Sequence, residues 1–127
     1  MAKKPSFFLC ETCGNLAGLV NNAGVPMVCC GKPMKALKAN STDAAQEKHV
    51  PVAVVSGDQC KVAVGSAAHP MTEEHLISWV YLQTEKGGQR KNLAAGEAPE
   101  AVFALVGDKA VAVYAYCNLH GLWEAEI

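Results

Sequence analysis

The chain has 127 residues, half of them hydrophobic, and a formal net charge of −1. This length allows one domain or two small ones with a real core, and the charge gives no reason to expect binding to nucleic acid or an anionic membrane. No apolar stretch approaches the ~20 residues of a membrane helix, and no run of signal-peptide length follows the basic N-terminus. We therefore expect a cytoplasmic protein, in which clustered cysteines act as metal ligands or catalysts rather than forming disulfides.

The first 37 residues hold four of the six cysteines. Cys10 and Cys13 form a C-x-x-C hook, in which backbone amides of a tight turn point at the sulfurs. Cys29 and Cys30 are adjacent, so both can reach one metal only if the backbone bends locally. A unit below ~40 residues usually needs a metal, disulfides or oligomerisation to fold. We predict a four-cysteine metal domain over residues 1–37; two redox dithiols or free structural cysteines are the alternative, and four thiolates suit zinc as well as iron.

A polar segment of small residues, 38–48, follows and predicts a linker at the start of the second domain. Ser41 or Thr42 is suited to cap a short helical turn within it.

From His49 onward the sequence has the pattern of short strands separated by glycine-containing turns. Ser56-Gly57-Asp58 is a turn signal, and Gly107-Asp108 predicts a two-residue hairpin turn. With no long helical pattern, these features favour an antiparallel β-sandwich over residues 38–127. The predicted strands cover residues 50–55, 60–64, 76–84, 102–106, 109–116 and 122–127.

A second predicted metal site uses every histidine of the chain together with one cysteine. Each histidine falls in a loop or at a strand edge, and His49 is expected to open the first strand of the sandwich. Pro70 keeps the preceding residue extended, and Thr72 can cap a short turn that brings the chain back. Five protein donors suggest a square pyramid with nitrogens in the plane, sulfur on the axis and an open position opposite it, whereas structural zinc is closed at four ligands. The five residues are His49, His69, His75, Cys117 and His120.

Imidazole and thiolate ligands suit iron, copper or zinc. A blue-copper site is disfavoured, because it takes two histidines, a cysteine and a weak axial methionine. The last methionine of the chain, Met71, lies far before Cys117.

Three C-terminal motifs resemble the desulfoferrodoxin family of two-iron superoxide reductases. They are Glu47-Lys48-His49-Val-Pro-Val, Gly65-Ser-Ala-Ala-His69-Pro-Met-Thr-Glu-Glu-His75 and Tyr116-Cys117-Asn-Leu-His120-Gly-Leu-Trp123. The N-terminal C-x-x-C with its adjacent cysteine pair resembles desulforedoxin, a small rubredoxin-like iron protein. The resemblance covers essentially the whole chain. One departure is Ala67-Ala68, where the family often carries a bulkier residue and a proline, and it affects loop stiffness rather than a ligand.

This resemblance implies a mostly β protein, with a desulforedoxin-like domain followed by an immunoglobulin-like antiparallel β-sandwich. It implies one iron held by the four cysteines and a second held by the four histidines and Cys117. The second centre would reduce superoxide to hydrogen peroxide without releasing oxygen. Lys48 would attract the anionic substrate and stabilise developing charge, and Glu47 would occupy the open position once the iron is ferric. Rubredoxin is the electron donor that the family leads us to expect.

Other expectations concern assembly and the surroundings of the second site. A unit as small as the N-terminal one would gain core by pairing, so a homodimer is expected. Backbone amides near Asn118 and Leu119 are expected to hydrogen-bond the sulfur of Cys117. Four residues are interpreted as core or rim without a catalytic role: Cys60, Tyr114, Tyr116 and Trp123.

Three other functions are compatible with these residues. A pure electron carrier would cycle both irons without a substrate, but an open coordination position and Lys48 argue against it. A structural or sensing module would hold zinc in both sites, which metal analysis would reveal. A dismutase would release oxygen as well as peroxide, so the oxygen yield separates it from a reductase.

Overall fold

The computed structural model describes residues 3–127. They form two compact units, residues 3–38 and residues 39–127. Both are built from antiparallel strands, so the expectation of a mostly β protein is confirmed. Within residues 3–127, no helix has both the length and the apolar character needed to cross a membrane.

The smaller unit consists of five short strands. One sheet has the order β2-β1-β5, and β3 and β4 form a separate two-stranded ribbon. Phe7 and Cys10 are its buried hydrophobic residues, which is a small core for a folded unit. The strands are β1 (Ser6–Leu9), β2 (Leu16–Leu19), β3 (Val28–Cys29), β4 (Lys32–Pro33) and β5 (Lys35–Ala36).

The larger unit is an immunoglobulin-like sandwich of two antiparallel sheets, as expected. One sheet has the order β10-β7-β6 and the other β12-β11-β8-β9. Alternate residues of both sheets form one core, in which Val62 of β7, Leu82 of β8 and Val113 of β11 are almost completely buried. The elements are α1 (Gln46–His49), β6 (Pro51–Ser56), β7 (Gln59–Val64), β8 (Ile77–Thr84), β9 (Gly87–Asn92), β10 (Glu100–Ala104), β11 (Ala110–Cys117) and β12 (Gly121–Glu126).

A β-bulge lies where β8 and β11 approach the histidine loops. Tyr116 of β11 pairs with Trp79, but Cys117 pairs with Ile77, so one residue of β8 has no partner in the register. A bulge of this kind changes which face of the sheet the following side chains point to, and it is common beside functional sites. Both Ile77 and Cys117 therefore face the core and are fully buried.

The predicted hairpin at Gly107-Asp108 is wrong. Strand β10 pairs with β7, and β11 pairs with β8 and β12, so this turn connects strands of different sheets. Beyond β10, the Leu105 amide donates to the Asp58 carbonyl oxygen at 2.6 Å, which continues the pairing with the β6–β7 turn. The Asp108 side chain accepts hydrogen bonds from the amides of Lys86 and Lys109 and so ties the crossing to the β8–β9 turn.

Two further expectations around residues 38–50 are corrected. Helix α1 begins at Gln46 after Ala45, with no side-chain cap, so neither Ser41 nor Thr42 is its N-cap. His49 is the last residue of this helix rather than the first of a strand, and β6 begins at Pro51.

Candidate metal centres

The four N-terminal cysteines converge in the smaller unit. Their sulfurs all lie within 4.8 Å of one another, and the sulfurs of Cys13 and Cys29 are 3.7 Å apart. The Cys13 amide approaches the Cys10 sulfur at 3.5 Å, as expected for the hook. The turn closes through a hydrogen bond of 2.8 Å from the Gly14 amide to the Cys10 carbonyl oxygen.

The backbone bends sharply at the adjacent cysteines. Cys30 has φ 53° and Gly31 has φ 73°, so two successive residues adopt the left-handed conformation. This conformation is unfavourable for a residue with a side chain. The bend brings both sulfurs of the pair into the cluster, which a regular strand would not do because it points neighbouring side chains to opposite faces.

The pKa values of the thiols in this four-cysteine cluster favour the binding of a metal cation. Hydrogen bonding by the Cys13 amide lowers the pKa of Cys10 to about 6. The pKa of Cys30 is raised to about 12, first by its interaction with the Cys13 thiol and then by Cys10. Ionisation of Cys10 thus opposes ionisation of Cys30, and a cation beside both sulfurs would favour the thiolate form of each. Among residues 3–127, all six cysteines are free of disulfides.

In the larger unit the four imidazole rings stand at the corners of a square. Ring-centroid distances along its sides are 4.6 Å for His49–His69, 4.6 Å for His69–His75, 5.1 Å for His75–His120 and 4.9 Å for His49–His120. The diagonal from His49 to His75 is 6.3 Å. Neighbouring rings are nearly perpendicular, with interplanar angles of 76–87°. Such an arrangement points ring nitrogens of several histidines toward a common centre, and those of His49, His69 and His75 form one group with the Cys117 sulfur, all within 4.8 Å of one another.

Backbone carbonyls orient two of these rings. Nδ1 of His49 lies 2.7 Å from the Ala45 carbonyl oxygen, and Nδ1 of His69 lies 2.6 Å from that of Pro70. A carbonyl oxygen only accepts, so Nδ1 carries the proton and Nε2 presents its lone pair inward. The Nε2 atoms of His49 and His69 are 3.2 Å apart, and Nδ1 of His120 lies 3.1 Å from Nε2 of His49. Nitrogens so close together, with their second ring atoms held by carbonyls, are typical of a metal site.

His75 completes the square with a buried nitrogen. Its Nε2 has no hydrogen-bond partner among the described residues, and an unpaired buried polar atom calls for an explanation. Burial lowers the pKa of His75, and the charges of His120, His49 and Lys48 lower it further. Burial also lowers the pKa of His69 to about 4. The imidazoles of His69 and His75 are therefore held neutral, which is the form that binds a metal.

Cys117 supplies the fifth donor. It is fully buried, and its sulfur is within 4.8 Å of the inward nitrogens of His49, His69 and His75 and 3.8 Å from His120 Nδ1. Because imidazoles occupy the corners, a sulfur close to all of them lies off the plane of the square.

The amide next to this sulfur is not the one expected from the sequence. His120 donates its backbone N–H to the Cys117 sulfur at 3.3 Å. The Asn118 amide instead donates to the Leu76 carbonyl oxygen at 3.2 Å, so the expectation for Asn118 is wrong. The loop folds back from Cys117 so tightly that the third amide, not the first, faces the sulfur.

Lys48 and Glu47 lie on helix α1 immediately before His49. Both side chains are exposed, so they face water beside the buried imidazoles. The Glu47 carbonyl oxygen accepts the Ala67 amide at 2.8 Å and the Ser66 hydroxyl at 3.3 Å. Helix α1 is thereby joined to the loop that leads to His69.

Sequence reasoning missed three residues that shape the second site. Gly65 has no room for a side chain, because a Cβ there would lie 2.7 Å from the Glu47 carbonyl oxygen. Trp123 contacts the His49 ring and the His120 backbone. The Asn118 side chain bonds to the backbone on both sides of His75. All three stand within or beside the family motifs, but their roles depend on contacts that motif spacing does not reveal.

These features define a class of protein. The loops of the β-sandwich bring together four imidazoles and a thiolate, and the smaller unit brings together four thiolates. The chain is therefore a non-haem metalloprotein with two metal centres.

The chain belongs to the desulfoferrodoxin family. The family model described as desulfoferrodoxin matches residues 41–126, and the model of the desulfoferrodoxin N-terminal domain matches residues 2–37. The two clusters match the two iron centres of this family.

Some relatives are similar over almost the whole chain, and others over about two thirds of it. The desulfoferrodoxin of Syntrophotalea carbinolica is 46% identical, and the match covers 99% of each chain. A crystal structure of the superoxide reductase from Treponema pallidum superimposes with a TM-score of 0.83 at 43% identity, covering 98% of this chain and 100% of the other. A superoxide reductase of Pyrococcus horikoshii is 37% identical over 64% of this chain and 86% of its own length.

Proposed function

We propose that this chain is a superoxide reductase, which converts superoxide with one electron and two protons into hydrogen peroxide and releases no oxygen. The observation that carries the proposal is the square of four imidazoles with the Cys117 sulfur off its plane. These residues would hold an iron with five protein donors, and an iron that accepts a further ligand could bind a small anion there. Family membership and the superoxide reductase names of similar proteins support the same conclusion.

We assign one iron to each cluster. The domain of residues 1–37 holds the first, and the domain of residues 38–127, with 38–48 as its linker, holds the second. The donor chemistry supports this, because four thiolates and a mixed imidazole–thiolate set both suit iron. The ligands are Cys10, Cys13, Cys29 and Cys30 for the first centre, and His49, His69, His75, Cys117 and His120 for the second.

The protein residues prepare the second site for one-electron chemistry. Ferrous iron, when bound, supplies the electron. The Ala45 and Pro70 carbonyls keep the imidazoles of His49 and His69 in the tautomer that presents Nε2. The His120 amide donates to the Cys117 sulfur and reduces the electron density that this sulfur passes on. Burial of His49, His69 and Cys117 keeps water away from these three donors.

Lys48 and Glu47 are the side chains that act on the substrate side. Superoxide is an anion, while the whole chain carries a net charge of −1. Lys48 lies one residue from His49, and its positive charge also acts on His75. Such a cation raises the local concentration of an anionic substrate and stabilises developing negative charge. Glu47, exposed on the same helix, would be the carboxylate available to a bound ferric iron.

The electron donor, the cellular location and the assembly are proposed from the family resemblance and from the size of the N-terminal unit. We propose rubredoxin as the electron donor, the cytoplasm as the location and a homodimer as the assembly. The small core of the N-terminal unit, with Phe7 and Cys10 as its buried hydrophobic residues, supports pairing with a second copy.

The test mixes pulse-generated superoxide with the reduced protein and follows the iron spectrum, peroxide and oxygen together. A reductase yields one peroxide per superoxide consumed and no oxygen. One oxygen for every two superoxide ions would show dismutation, and an unchanged iron spectrum would show a pure electron carrier. Protein loaded with zinc is the control, because zinc keeps the ligands but has no redox chemistry.

A further inference from the structure

The side chain of Asn118 joins two loops that are 42 residues apart in the sequence. Its Oδ1 accepts the Leu76 amide at 3.0 Å, and its Nδ2 donates to the Glu74 carbonyl oxygen at 3.0 Å. Its own amide donates to the Leu76 carbonyl oxygen at 3.2 Å. Glu74 and Leu76 are the residues on either side of His75, so three hydrogen bonds hold the backbone around this histidine.

The position of the His75 ring depends on its backbone more than the positions of the His49 and His69 rings do. The rings of His49 and His69 are each oriented by a carbonyl oxygen at Nδ1. For His75, no such contact is seen among residues 3–127, and its buried Nε2 has no partner. Within its own loop, the His75 amide and carbonyl bond only to Thr72, which fixes the turn but not its position relative to the other ligands.

The other end of this connection is the Cys117–His120 loop. Asn118 directly follows Cys117, and the His120 amide of the same loop donates to the Cys117 sulfur. A movement of Asn118 relative to Leu76 would therefore move the His75 ring relative to the Cys117 sulfur. Both polar ends of the Asn118 side chain are used in these bonds, so it is not itself a metal donor.

We propose that Asn118 is a positioning residue, which locks the backbone around His75 to the Cys117–His120 loop and sets the direction from which His75 meets the metal. The proposal rests on the metal site assigned above. The role of Asn118 would be to hold the ligand square in place rather than to take part in the reaction.

Asn40 provides a matched control. Its side chain makes the same two-point contact with a strand backbone, donating from Nδ2 to the Glu124 carbonyl oxygen at 3.1 Å and accepting the Glu124 amide at 2.9 Å. Glu124 belongs to β12 and is not next to a histidine. Asn118→Ala and Asn40→Ala therefore remove the same kind of hydrogen bonds, but only the first frees a ligand loop. Asn40 has φ 59°, so Asn40→Ala also strains the backbone and is the more destabilising control.

The experiment measures iron release from the intact protein to a chelator, together with the electron paramagnetic resonance spectrum of the ferric form. For Asn118→Ala we expect release about 10–100-fold faster, the usual effect of losing an outer partner of a ligand, and an altered spectrum. Asn40→Ala should retain the spectrum and release rate of the wild type. Because neither measurement uses superoxide, the result does not depend on the substrate assignment.

A second variant covers the case in which Asn118→Ala does not fold. Asn118→Asp keeps the acceptor for the Leu76 amide and places a carboxylate oxygen against the Glu74 carbonyl oxygen. Because Asn118 is exposed, this variant should fold, and it should also release iron faster than the wild type and show an altered spectrum. The proposal is overturned if the Asn118 variants release iron at the rate of Asn40→Ala and show the wild-type spectrum.

Discussion

The indole Nε1 of Trp123 donates a hydrogen bond of 3.1 Å to the carbonyl oxygen of His120. Its ring also lies 4.9 Å from the ring of His49, tilted by 30°. Trp123 is 1% exposed, so both contacts are shielded from water. One core residue of β12 therefore holds two neighbouring corners of the imidazole square.

Trp123→Phe should keep most of the ring packing and remove the bond to the His120 carbonyl. We expect the free energy of unfolding to fall by about 1–3 kcal/mol, because a buried acceptor loses its partner, and the visible spectrum of the iron to shift. Denaturant unfolding and absorption spectra measure the two effects. Trp79→Phe is the control, since Trp79 is also buried but stacks on Tyr116. Equal spectral shifts in both variants would contradict a specific role for Trp123.

Gly65 allows the loop before His69 to approach helix α1 closely. A Cβ at this position would lie 2.7 Å from the Glu47 carbonyl oxygen and 2.8 Å from that of Val50. Gly65→Ala should therefore displace the helix that carries Lys48. We expect a loss of about 1–3 kcal/mol in unfolding free energy, as for other overpacked sites, and slower capture of superoxide.

Ser66→Ala separates this steric effect from a simple loss of contact. It removes the hydroxyl bond to the same Glu47 carbonyl without adding an atom. Stopped-flow capture rates of Ser66→Ala should stay close to those of the wild type. If Gly65→Ala captures superoxide as fast as Ser66→Ala, the close approach does not position Lys48.

Local signals in the sequence predicted local structure well. The C-x-x-C hook has the Cys13 amide near the Cys10 sulfur, and Thr72 caps the turn before His75, as expected. These features depend on hydrogen bonds over a few residues, so spacing and residue type are sufficient. The β-branched alternation likewise placed six of the seven strands of the sandwich to within a few residues and missed β9.

Features set by distant contacts could not be predicted in this way. The turn at Gly107-Asp108 resembles a hairpin turn, but pairing of β10 with β7 decides its role. Strand β9 (Gly87–Asn92) has no apolar alternation, and it forms because β8 offers an edge with which it pairs. His49 ends a helix of four residues, too short to leave a helical period in the sequence. The contacts of Asn118 cross the sandwich loops and leave no local pattern.

Cys117→Ser should abolish the thiolate-to-iron charge-transfer band in the visible spectrum. An alcohol in this buried position is a much poorer ligand than a thiolate at neutral pH, so we also expect weaker iron binding. Cys60→Ser is the control, because Cys60 is equally buried but lies in the core on β7. A band that persists in Cys117→Ser would show that another residue provides the sulfur donor.

Lys48→Ala should slow superoxide capture while leaving the iron spectrum nearly unchanged. Lys48 is exposed, so its field reaches the substrate through water and is screened by salt over a Debye length of about 10 Å at 0.1 M. We expect a loss of up to about tenfold at low ionic strength, the lower end of steering effects, which shrinks as salt is added. The measurement is the capture rate as a function of salt concentration. Lys61→Ala removes the same charge from the exposed face of β7 and should change this rate little. Equal rates for the two variants at low salt would show that the position of Lys48 beside His49 does not matter and that only the total charge does.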